Sequence, residues 1–394
     1  MISKASIKIC LKFVLKFVNN LFPKKKNKVF MEGSPTAESS AVSVSNYIAE
    51  NYDMDLVYVI SDKKYNVSNI LHESIRTVNK YSGSLVSLSY IKEFITSRFI
   101  FYTHGTFIEN NLNRQITTNI WHGITYKKVG VMIGAKPFKV NVTVGTSKKT
   151  QEMFSEIFGV DKNKIFISGY PRNDYLINNE RENIINRINP SWINKKVIFW
   201  LPTFRKNKFD DNQMDGKEVG NPFFIENFNL DGFNDLLTEL NAVCLLKPHP
   251  NSPTYEIKKG IDNVHIINDH WINNFDLTLY QFMSVTDLLI SDVSSVMLDY
   301  LFVNKPIICM SSDLEQYDKT RGFYFDDIEK WVPGPIIEEQ NDLFSYLKEF
   351  LKSGEDEYEE KRTRLRKIFF KFYDNKSTER LVEHVLKDNC KKPL

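Results

Sequence analysis

Charged and hydroxyl side chains follow three apolar stretches in the second half of the chain. Arg205, Lys247 and His249 follow two of these stretches, and Ser294 and Ser295 follow the third. A guanidinium, an ammonium and an imidazole neutralise phosphate charge, and backbone N–H groups at a helix start receive anions. These residue types therefore predict a site that binds a diphosphate.

Residues 286–309 (TDLLISDVSSVMLDYLFVNKPIIC) show how such side chains would be positioned. The run begins as an apolar strand, makes a tight polar turn at Asp292 and resumes with helical spacing at Val296. Ser294 and Ser295 then lie at the cap, where the positive end of the helix dipole favours an anion. A capped structural helix is the alternative that this run alone leaves open.

A fourth polar segment, 121–128 (WHGITYKK), follows a strand in the first half of the chain. In open α/β sheets, ligands bind outside the carboxyl ends of the strands. His122 is therefore expected to face the same cleft from the opposite side. A packed structural histidine remains the alternative for His122, and a turn histidine for His249, which lies between two prolines.

Strands alternate with helices twice along the chain. The predicted strands are 29–32, 55–60, 99–103, 116–121, 140–144 and 165–168 in the first half, and 197–201, 242–246, 264–267, 287–290 and 306–309 in the second. Such alternation predicts an α/β protein with two parallel sheets, each covered by helices on both faces. We expect three regions: 1–28, a first domain over 29–178 and a second over 190–394. The charged helices within 355–387 are candidates to pack back across the first domain.

Composition limits the class of protein. A chain of 394 residues, 42% hydrophobic and 26% charged, is globular and suits two domains. A net charge of only +3 gives no basic field for nucleic acid. The four cysteines are scattered, which is typical of a reducing cytoplasm and predicts no zinc site. No metal and no cofactor is expected.

The first 28 residues differ from the rest. Lys4, Lys8, Lys12 and Lys16 recur every four residues, which places them in one stripe on a helix, largely apart from the apolar side chains. These lysines interrupt the ~20 apolar residues that a membrane-spanning helix needs, and no cleavage site for a signal peptide follows. The pattern favours an amphipathic helix lying on an anionic membrane. A basic helix docked on the protein itself is the alternative.

Seven blocks occur in the order seen in one enzyme family. They are Gln115 to Gly123 (QITTNIWHG), Lys127 to Gly130 (KKVG), Gly169 to Asp174 (GYPRND), Pro202 to Arg205 (PTFR), Lys247 to Pro250 (KPHP), Ser291 to Asp299 (SDVSSVMLD) with Asn304 to Pro306, and Arg321 to Asp326 (RGFYFD) with Pro333 to Pro335. In these blocks the chain resembles the CDP-glycerol glycerophosphotransferases, which prime or polymerise teichoic acids and related polyol phosphates. The family usually continues WHG with Thr-Pro-Leu-Lys and carries Thr-Asp-Tyr-Ser-Ser. Here the corresponding residues are Ile124 to Lys127 and Ser291 to Ser295, which leaves the polyol and the acceptor open.

The resemblance implies a GT-B fold, two Rossmann-like domains with the active cleft between them. It also implies a reaction in which an acceptor hydroxyl attacks the β-phosphorus of a CDP-polyol, glycerol phosphate or another polyol phosphate is transferred, and CMP leaves. The expected acceptor is a lipid-linked or oligosaccharide polyol phosphate in teichoic acid or capsule synthesis. The expected location is the cytoplasmic face of the cell membrane, bound peripherally through the N-terminal helix.

The resemblance also suggests roles for single residues. His122 is the candidate general base, and His249 the candidate that stabilises charge on the phosphates together with Arg205 and Lys247. Asp299 is expected to orient Ser295 or a cation. The remaining candidate substrate-binding residues are Gly123, Lys127, Lys128, Arg172, Asn173, Thr203, Asp292, Ser294, Ser295 and Arg321. Of these, Lys127 and Lys128 are candidates for the acceptor phosphate, and Arg172 and Asn173 for the acceptor or for closing the cleft.

Two other functions are compatible with the same architecture, because a fold does not fix a function. One is a sugar-nucleotide glycosyltransferase or epimerase, which would release UDP or another nucleotide instead of CMP. The other is a membrane-bound scaffold for wall synthesis that has kept the fold without the chemistry.

Overall fold

In the computed structural model, the chain folds into two parallel sheets with helices on both faces of each. The structure describes residues 14–177, 180–203, 206–207, 210–214, 221–223, 225–250, 252–253 and 255–387. The strands of the first half are β1 (Lys25–Glu32), β2 (Asp55–Ile60), β3 (Arg76–Asn79), β4 (Tyr81–Ser82), β5 (Leu85–Val86), β6 (Ser97–Tyr102), β7 (Ile116–Asn119), β8 (Val142–Gly145) and β9 (Ile165–Ile167). Its helices are α1 (14–21), α2 (Ser39–Asn51), α3 (Leu88–Thr96), α4 (Lys148–Phe158) and α5 (Arg181–Ile188).

The second half repeats the alternation. Its strands are β10 (Lys196–Leu201), β11 (Lys206–Asn207), β12 (Asp210–Met214), β13 (Ala242–Leu246), β14 (Val264–Ile266), β15 (Leu288–Ser291), β16 (Ile307–Met310) and β17 (Ile336–Ile337). Its helices are α6 (Leu230–Glu239), α7 (Asp269–Asn273), α8 (Leu279–Ser284), α9 (Ser295–Tyr300), α10 (Leu314–Arg321), α11 (Gln340–Ser353), α12 (Glu359–Phe369) and α13 (Ser377–Leu386).

Strand order places a crevice in each sheet. The first sheet runs β3-β2-β1-β6-β7-β8-β9 and the second β14-β13-β10-β15-β16-β17. All of these neighbours pair in parallel. Strand order therefore reverses beside β1 and again beside β10, and ligands of open α/β sheets bind at such reversals. The two parallel sheets predicted from the sequence are confirmed.

Alternation along β10 shows how the strands bury both faces. Val197, Phe199 and Leu201 belong to the large core that runs through both halves, whereas Ile198 and Trp200 belong to a second core on the other face of the sheet. Successive side chains of a strand point to opposite faces. A continuous apolar run is therefore what a doubly covered parallel strand requires.

The sequence-based boundaries need two corrections. Residues 25–28, expected within the basic N-terminal segment, instead begin β1, and the Lys28 ammonium is buried 2.5 Å from Glu93. The interval left between the two expected domains, 179–189, contains α5, which is anchored by buried Ile184 and Ile185. The sequence also did not predict six short strands, because brief strands show little periodicity. These are the hairpin strands β4, β5, β11 and β12 and the edge strands β3 and β17.

The C-terminal helices return to the first half. Asp174 accepts hydrogen bonds from the backbone N–H groups of Ser377 and Thr378, at 2.9 and 2.8 Å. The Thr146 hydroxyl donates to the carbonyl of Phe369 at 2.6 Å. These contacts tie α12 and α13 to the first half.

The N-terminal helix α1 rests on the first half through one face. Leu15 and Asn19 are buried, and the Asn19 amide donates to the Gln115 side chain at 2.9 Å. The predicted lysine stripe begins in residues 1–13, which lie outside the described part of the chain, and its last member, Lys16, pairs with Glu109 at 2.9 Å. Among the described residues, every helix is too short or too polar to cross a membrane.

Candidate active site

A cavity of about 540 Å³ lies between the two halves at the carboxyl ends of their strands. The first half contributes residues that follow β1, β6, β7 and β9, and the second half residues that follow β10, β13 and β15. The lining includes Glu38, Ser39, Tyr65, His104, His122, Arg172, Thr203, Lys247, His249, Asp269, Tyr280, Ser294 and Ser295. Both candidate histidines therefore face one space, from opposite halves.

His122 lies in an aromatic and poorly hydrated corner of this cavity. Its ring centroid is 4.0 Å from that of His104 and 3.9 Å from that of Trp121. Burial lowers the pKa of His122 well below the ordinary 6.5, and His104 and Arg172 lower it further by charge repulsion. A hydrogen bond to the Thr103 backbone opposes this shift without reversing it. His122 is therefore neutral near pH 7, as a general base must be.

Arg172 is the charge at the junction of the two halves. Its guanidinium lies 2.5 Å from Asp299 of α9 and 3.9 Å from Glu38, which caps α2. The Tyr280 hydroxyl also donates to Asp299, at 2.6 Å. Burial raises the pKa of Asp299 and of Glu38, although Arg172 favours the charged form of both. Arg172 thus joins carboxylates from the first and second halves below the cavity.

The position after His122 requires a glycine, Gly123. Its φ is +135°, and a Cβ added there would lie 2.9 Å from both Arg172 and the Ser295 side chain. Residues with a side chain rarely adopt this backbone conformation, and Arg172 and Ser295 already fill the space that a Cβ would need. Gly123 therefore lets the loop after β7 approach α9 closely.

Asp292 braces two loops of the second half. Its carboxylate accepts from the Thr203 backbone N–H at 3.1 Å and from the Thr203 hydroxyl at 2.5 Å. The loop after β10 is thereby tied to the turn after β15, the two strands that flank the reversal of strand order. Asp292 thus positions the site, as its charge would repel a phosphate.

Lys247 and Ser294 supply cationic and hydroxyl groups on the second-half wall. The Lys247 ammonium is buried and lies 3.1 Å from Asp269, which also lines the cavity. Ser294 occupies the N-cap of α9 with extended backbone and makes no side-chain capping bond. Its hydroxyl therefore points to no helix N–H and can serve a ligand.

The predicted site residues divide into four groups. Those lining the cavity are His122, Arg172, Thr203, Lys247, His249, Ser294 and Ser295. Gly123, Asp292 and Asp299 contact lining residues from behind. Asn173, Lys127, Lys128 and Arg321 are outside the lining. Arg205 lies outside the described residues.

The two lysines after the WHG segment join the halves through the backbone. Lys127 forms a bridge with Phe323, and the Lys128 N–H donates to the Gly322 carbonyl at 3.0 Å. The Lys127 ammonium lies 5.3 Å from the centre of the Tyr317 ring. This arrangement supports a structural contact by these residues more directly than phosphate binding.

Sequence reasoning missed several lining residues, among them Glu38, Tyr65, His104, Asp269 and Tyr280. His104 follows β6 just as His122 follows β7, so the strand-end rule that selected His122 also applies to it. Tyr65 and Tyr280 carry no such signal, because they reach the cavity only through the packing of the two halves. Within the described residues, no cluster of three or more His, Cys, Asp or Glu could hold a metal ion.

Comparison with known sequences gives one family across the chain. The profile of CDP-Glycerol:Poly(glycerophosphate) glycerophosphotransferase matches residues 14–387. The teichoic acid glycerol-phosphate transferase of Staphylococcus aureus is 30% identical over 296 residues, 68% of this chain and 70% of that protein. The teichoic acid poly(ribitol-phosphate) polymerase of Bacillus spizizenii is 26% identical over 404 residues, 96% of this chain but only 59% of that protein.

Solved structures share the fold. The wall teichoic acid polymerase TagF superposes with a TM-score of 0.74 at 22% identity, covering 97% of this chain and 93% of that one. S. aureus MnaA in complex with UDP gives a TM-score of 0.55 at 14% identity, covering 91% and 95%. These identities support the common architecture alone, two parallel sheets with a cleft between them.

Proposed function

Because the chain belongs to the CDP-glycerol:poly(glycerophosphate) glycerophosphotransferase family, we propose that it transfers a polyol phosphate from a CDP-polyol to an acceptor hydroxyl and releases CMP. Glycerol phosphate is the first choice of transferred group, and teichoic acid or capsule synthesis the setting. The observation that carries the proposal is the cavity that joins His122 to Lys247, His249 and Ser294. Membership confirms the family that the sequence blocks predicted.

The second-half wall suits the diphosphate of the donor. Lys247 provides positive charge, Ser294 and Ser295 provide hydroxyls, and the first turn of α9 provides backbone N–H groups. Asp269 neutralises Lys247 at 3.1 Å, so the ammonium is held in place and is shared with the phosphate when the donor binds. Arg205, two residues after Thr203 in the sequence, stays a prediction for the same site, because it lies outside the described residues. A TagF variant soaked with CDPG shares this fold with a TM-score of 0.76.

His122 takes the proton of the acceptor hydroxyl. The oxygen then attacks the β-phosphorus, a new P–O bond forms, and the bond between the β-phosphorus and the bridging oxygen breaks. CMP leaves with the electron pair of that bond, and His249 and Lys247 stabilise the charge on the phosphates. A neutral imidazole is the form that accepts a proton, which agrees with the lowered pKa of His122.

Membrane association rests on the outer face of α1. Val14, Phe17 and Leu21 on α1 and Phe22 just after it are 45–61% exposed, whereas Leu15 and Asn19 hold α1 to the first half. Lys25 and Lys26 follow and are exposed, whereas Lys24 donates to the Asn19 and Ile95 carbonyls. An apolar strip beside basic residues suits an anionic lipid surface. The enzyme then works peripherally at the cytoplasmic face, on a lipid-linked or oligosaccharide acceptor.

A donor panel tests the proposed reaction. Purified protein is incubated with CDP-glycerol, CDP-ribitol and UDP-sugars and a polyol-phosphate acceptor, while nucleotide release and product mass are measured. We expect CMP and a product heavier by one or more polyol phosphates, with a loss of about 100- to 10,000-fold in His122→Ala. Release of UDP would instead indicate a sugar-nucleotide enzyme, and no turnover with any donor would indicate a scaffold.

A further inference from the structure

His104 takes no part in the proposed polyol-phosphate transfer, yet it lines the cavity beside the proposed base, His122. The residue follows β6, the strand next to β7 in the first sheet, so His104 and His122 leave adjacent strand ends. Their rings are parallel within 3°, with centroids 4.0 Å apart. A parallel stack at this distance restricts the tilt of both rings.

A second ring fixes His122 from its own loop. The Trp121 indole lies 3.9 Å from the His122 ring and is itself held by Phe158, at 4.5 Å, and by Phe138, at 5.5 Å. Trp121 has a φ of +59°, which is uncommon outside glycine and turns the loop sharply after β7. The imidazole of His122 is thereby in contact with a rigid aromatic wall and with His104.

The charged groups around this pair come from both halves of the chain. Arg172 faces both histidines and is itself paired with Asp299 and Glu38. Lys247, His249 and Asp269 line the opposite wall of the cavity. Protonation of either histidine would add positive charge beside the Arg172 guanidinium in a poorly hydrated corner.

We propose that His104 is a positioning residue for His122, holding the imidazole in its plane and keeping water from one face of it. The proposal rests on the proposed function, in which His122 is the general base. Burial and Arg172 lower the pKa of His104 to about 4, so His104 is neutral near pH 7 and acts through its ring rather than its charge. A phenyl ring at this position should therefore keep most of the effect, whereas a methyl group should lose it.

The sign of the expected pH effect follows from hydration. Removing His104 lets water reach His122, so the pKa of His122 rises toward 6.5. The reaction needs neutral His122, so kcat/KM falls as pH drops through this pKa. In His104→Ala the fall should thus begin at a higher pH than in the wild type, and kcat should drop roughly 10- to 100-fold with little change in donor KM.

The experiment compares His104→Ala, His104→Phe and the control His384→Ala. His384 forms a similar stack with Phe166, 3.8 Å apart and within 4°, on α13 rather than in the cavity. Each protein is assayed for kcat/KM from pH 5 to 8 (chosen to bracket roughly the ordinary histidine pKa). The His122 ring is also titrated by nitrogen NMR, with His122→Asn to assign its signals.

We expect the acidic limb and the NMR titration to move upward in His104→Ala only, with His104→Phe close to wild type. An unmoved His122 titration in a folded His104→Ala protein would overturn the proposal, and so would an equal shift in His384→Ala. The NMR titration needs no turnover, so it judges His104 even if His122→Ala remains active and the proposed base is wrong.

Discussion

Arg172 is the residue on which the two halves of the molecule meet. Its guanidinium is 5% exposed, and its partner Asp299 is 1% exposed at 2.5 Å. The two are 127 residues apart in the chain, so only the packed halves bring them together. Losing Asp299 would leave the buried guanidinium with only Glu38, at 3.9 Å, and losing Arg172 would leave Asp299 buried without a countercharge.

We expect Asp299→Asn to destabilise the protein by about 3–5 kcal/mol, because Arg172 would lose the nearer of its two buried carboxylates. Urea unfolding followed by circular dichroism measures the change. The matched control is Asp327→Asn, which removes an exposed partner of Lys330 and should leave the unfolding midpoint unchanged. Equal midpoints for Asp299→Asn and the wild type would show that this pair does not hold the halves together.

Gly123 allows a test of the close contact beside His122. In Gly123→Ala the new methyl group would meet Arg172 and Ser295 at 2.9 Å, so the loop carrying His122 must shift. We expect kcat to fall about 100-fold, since a displacement near 1 Å costs that much in a positioned group. Rates of CMP release at saturating donor measure it.

Gly134→Ala is the matched control for this loop. Its φ of +80° imposes backbone strain, but nothing lies within 4 Å of the added Cβ. It should be less stable by about 1 kcal/mol while keeping near-normal kcat. If both variants lose kcat equally, backbone strain rather than the contact with α9 explains the glycine.

At the scale of elements, the loop after β2 contacts α7 and the residues that follow it, beside the cavity. The Asn66 N–H donates to the Asn273 side chain at 2.8 Å, and the Asn69 amide donates to Asp276 at 2.9 Å. The Tyr65 ring lies 4.2 Å from that of His270. Tyr65 also lines the cavity, so this loop connects the two halves next to the proposed donor site.

We expect Asn273→Ala to raise the donor KM about fivefold with little change in kcat. The variant loses one hydrogen bond between the halves, worth ~1 kcal/mol, and thereby weakens the closed arrangement that binds donor. Initial rates at varied donor concentration measure the change. Asn51→Ala, which removes a bond from Asn51 to Tyr47 inside α2, should leave KM as it is. An unchanged KM in Asn273→Ala would mean that this loop does not control donor binding.

For the whole molecule, α1 is the element through which we propose attachment to a membrane. Its inner face is bound to the first half by Leu15 and Asn19, and its outer face presents Phe17 and Leu21 at 60% and 61% exposure. In the part that the structure describes, the helix docks on the protein and also exposes an apolar strip, and its binding to a membrane stays a prediction. The catalytic cavity can then be held at a fixed distance from a lipid surface.

We expect Phe17→Glu with Leu21→Glu to lower binding to phosphatidylglycerol vesicles about 100-fold. Each replaced side chain loses roughly 1.5 kcal/mol or more of binding free energy from apolar burial in the lipid, and the new charges repel the anionic surface. Vesicle sedimentation measures the bound fraction, and turnover of a soluble acceptor should persist. The control Tyr373→Glu changes a ring that is 42% exposed elsewhere on the molecule. Unaltered vesicle binding in the double variant would exclude α1 as the attachment site.

The sequence determined the two-sheet architecture and the strand ends at which the site would form. Continuous apolar strands can be buried only between two layers of helices, and parallel strands bring their carboxyl ends to one edge. His122, Lys247, His249, Ser294 and Ser295 were found for this reason. Their residue types predicted phosphate binding. The order of seven short blocks indicated the family.

The tertiary structure decided how these groups are oriented and in which charge state. Arg172 forms ion pairs with Asp299 and Glu38, and His104 stacks on His122. The spacing of residues along the chain does not predict these contacts. Lys127 and Lys128, chosen for their charge, also join the halves through backbone contacts, which their charge did not predict. A strand end fixes where a side chain starts, but its partners and its pKa depend on what the opposite half places beside it. That placement is set by packing between residues far apart in the chain.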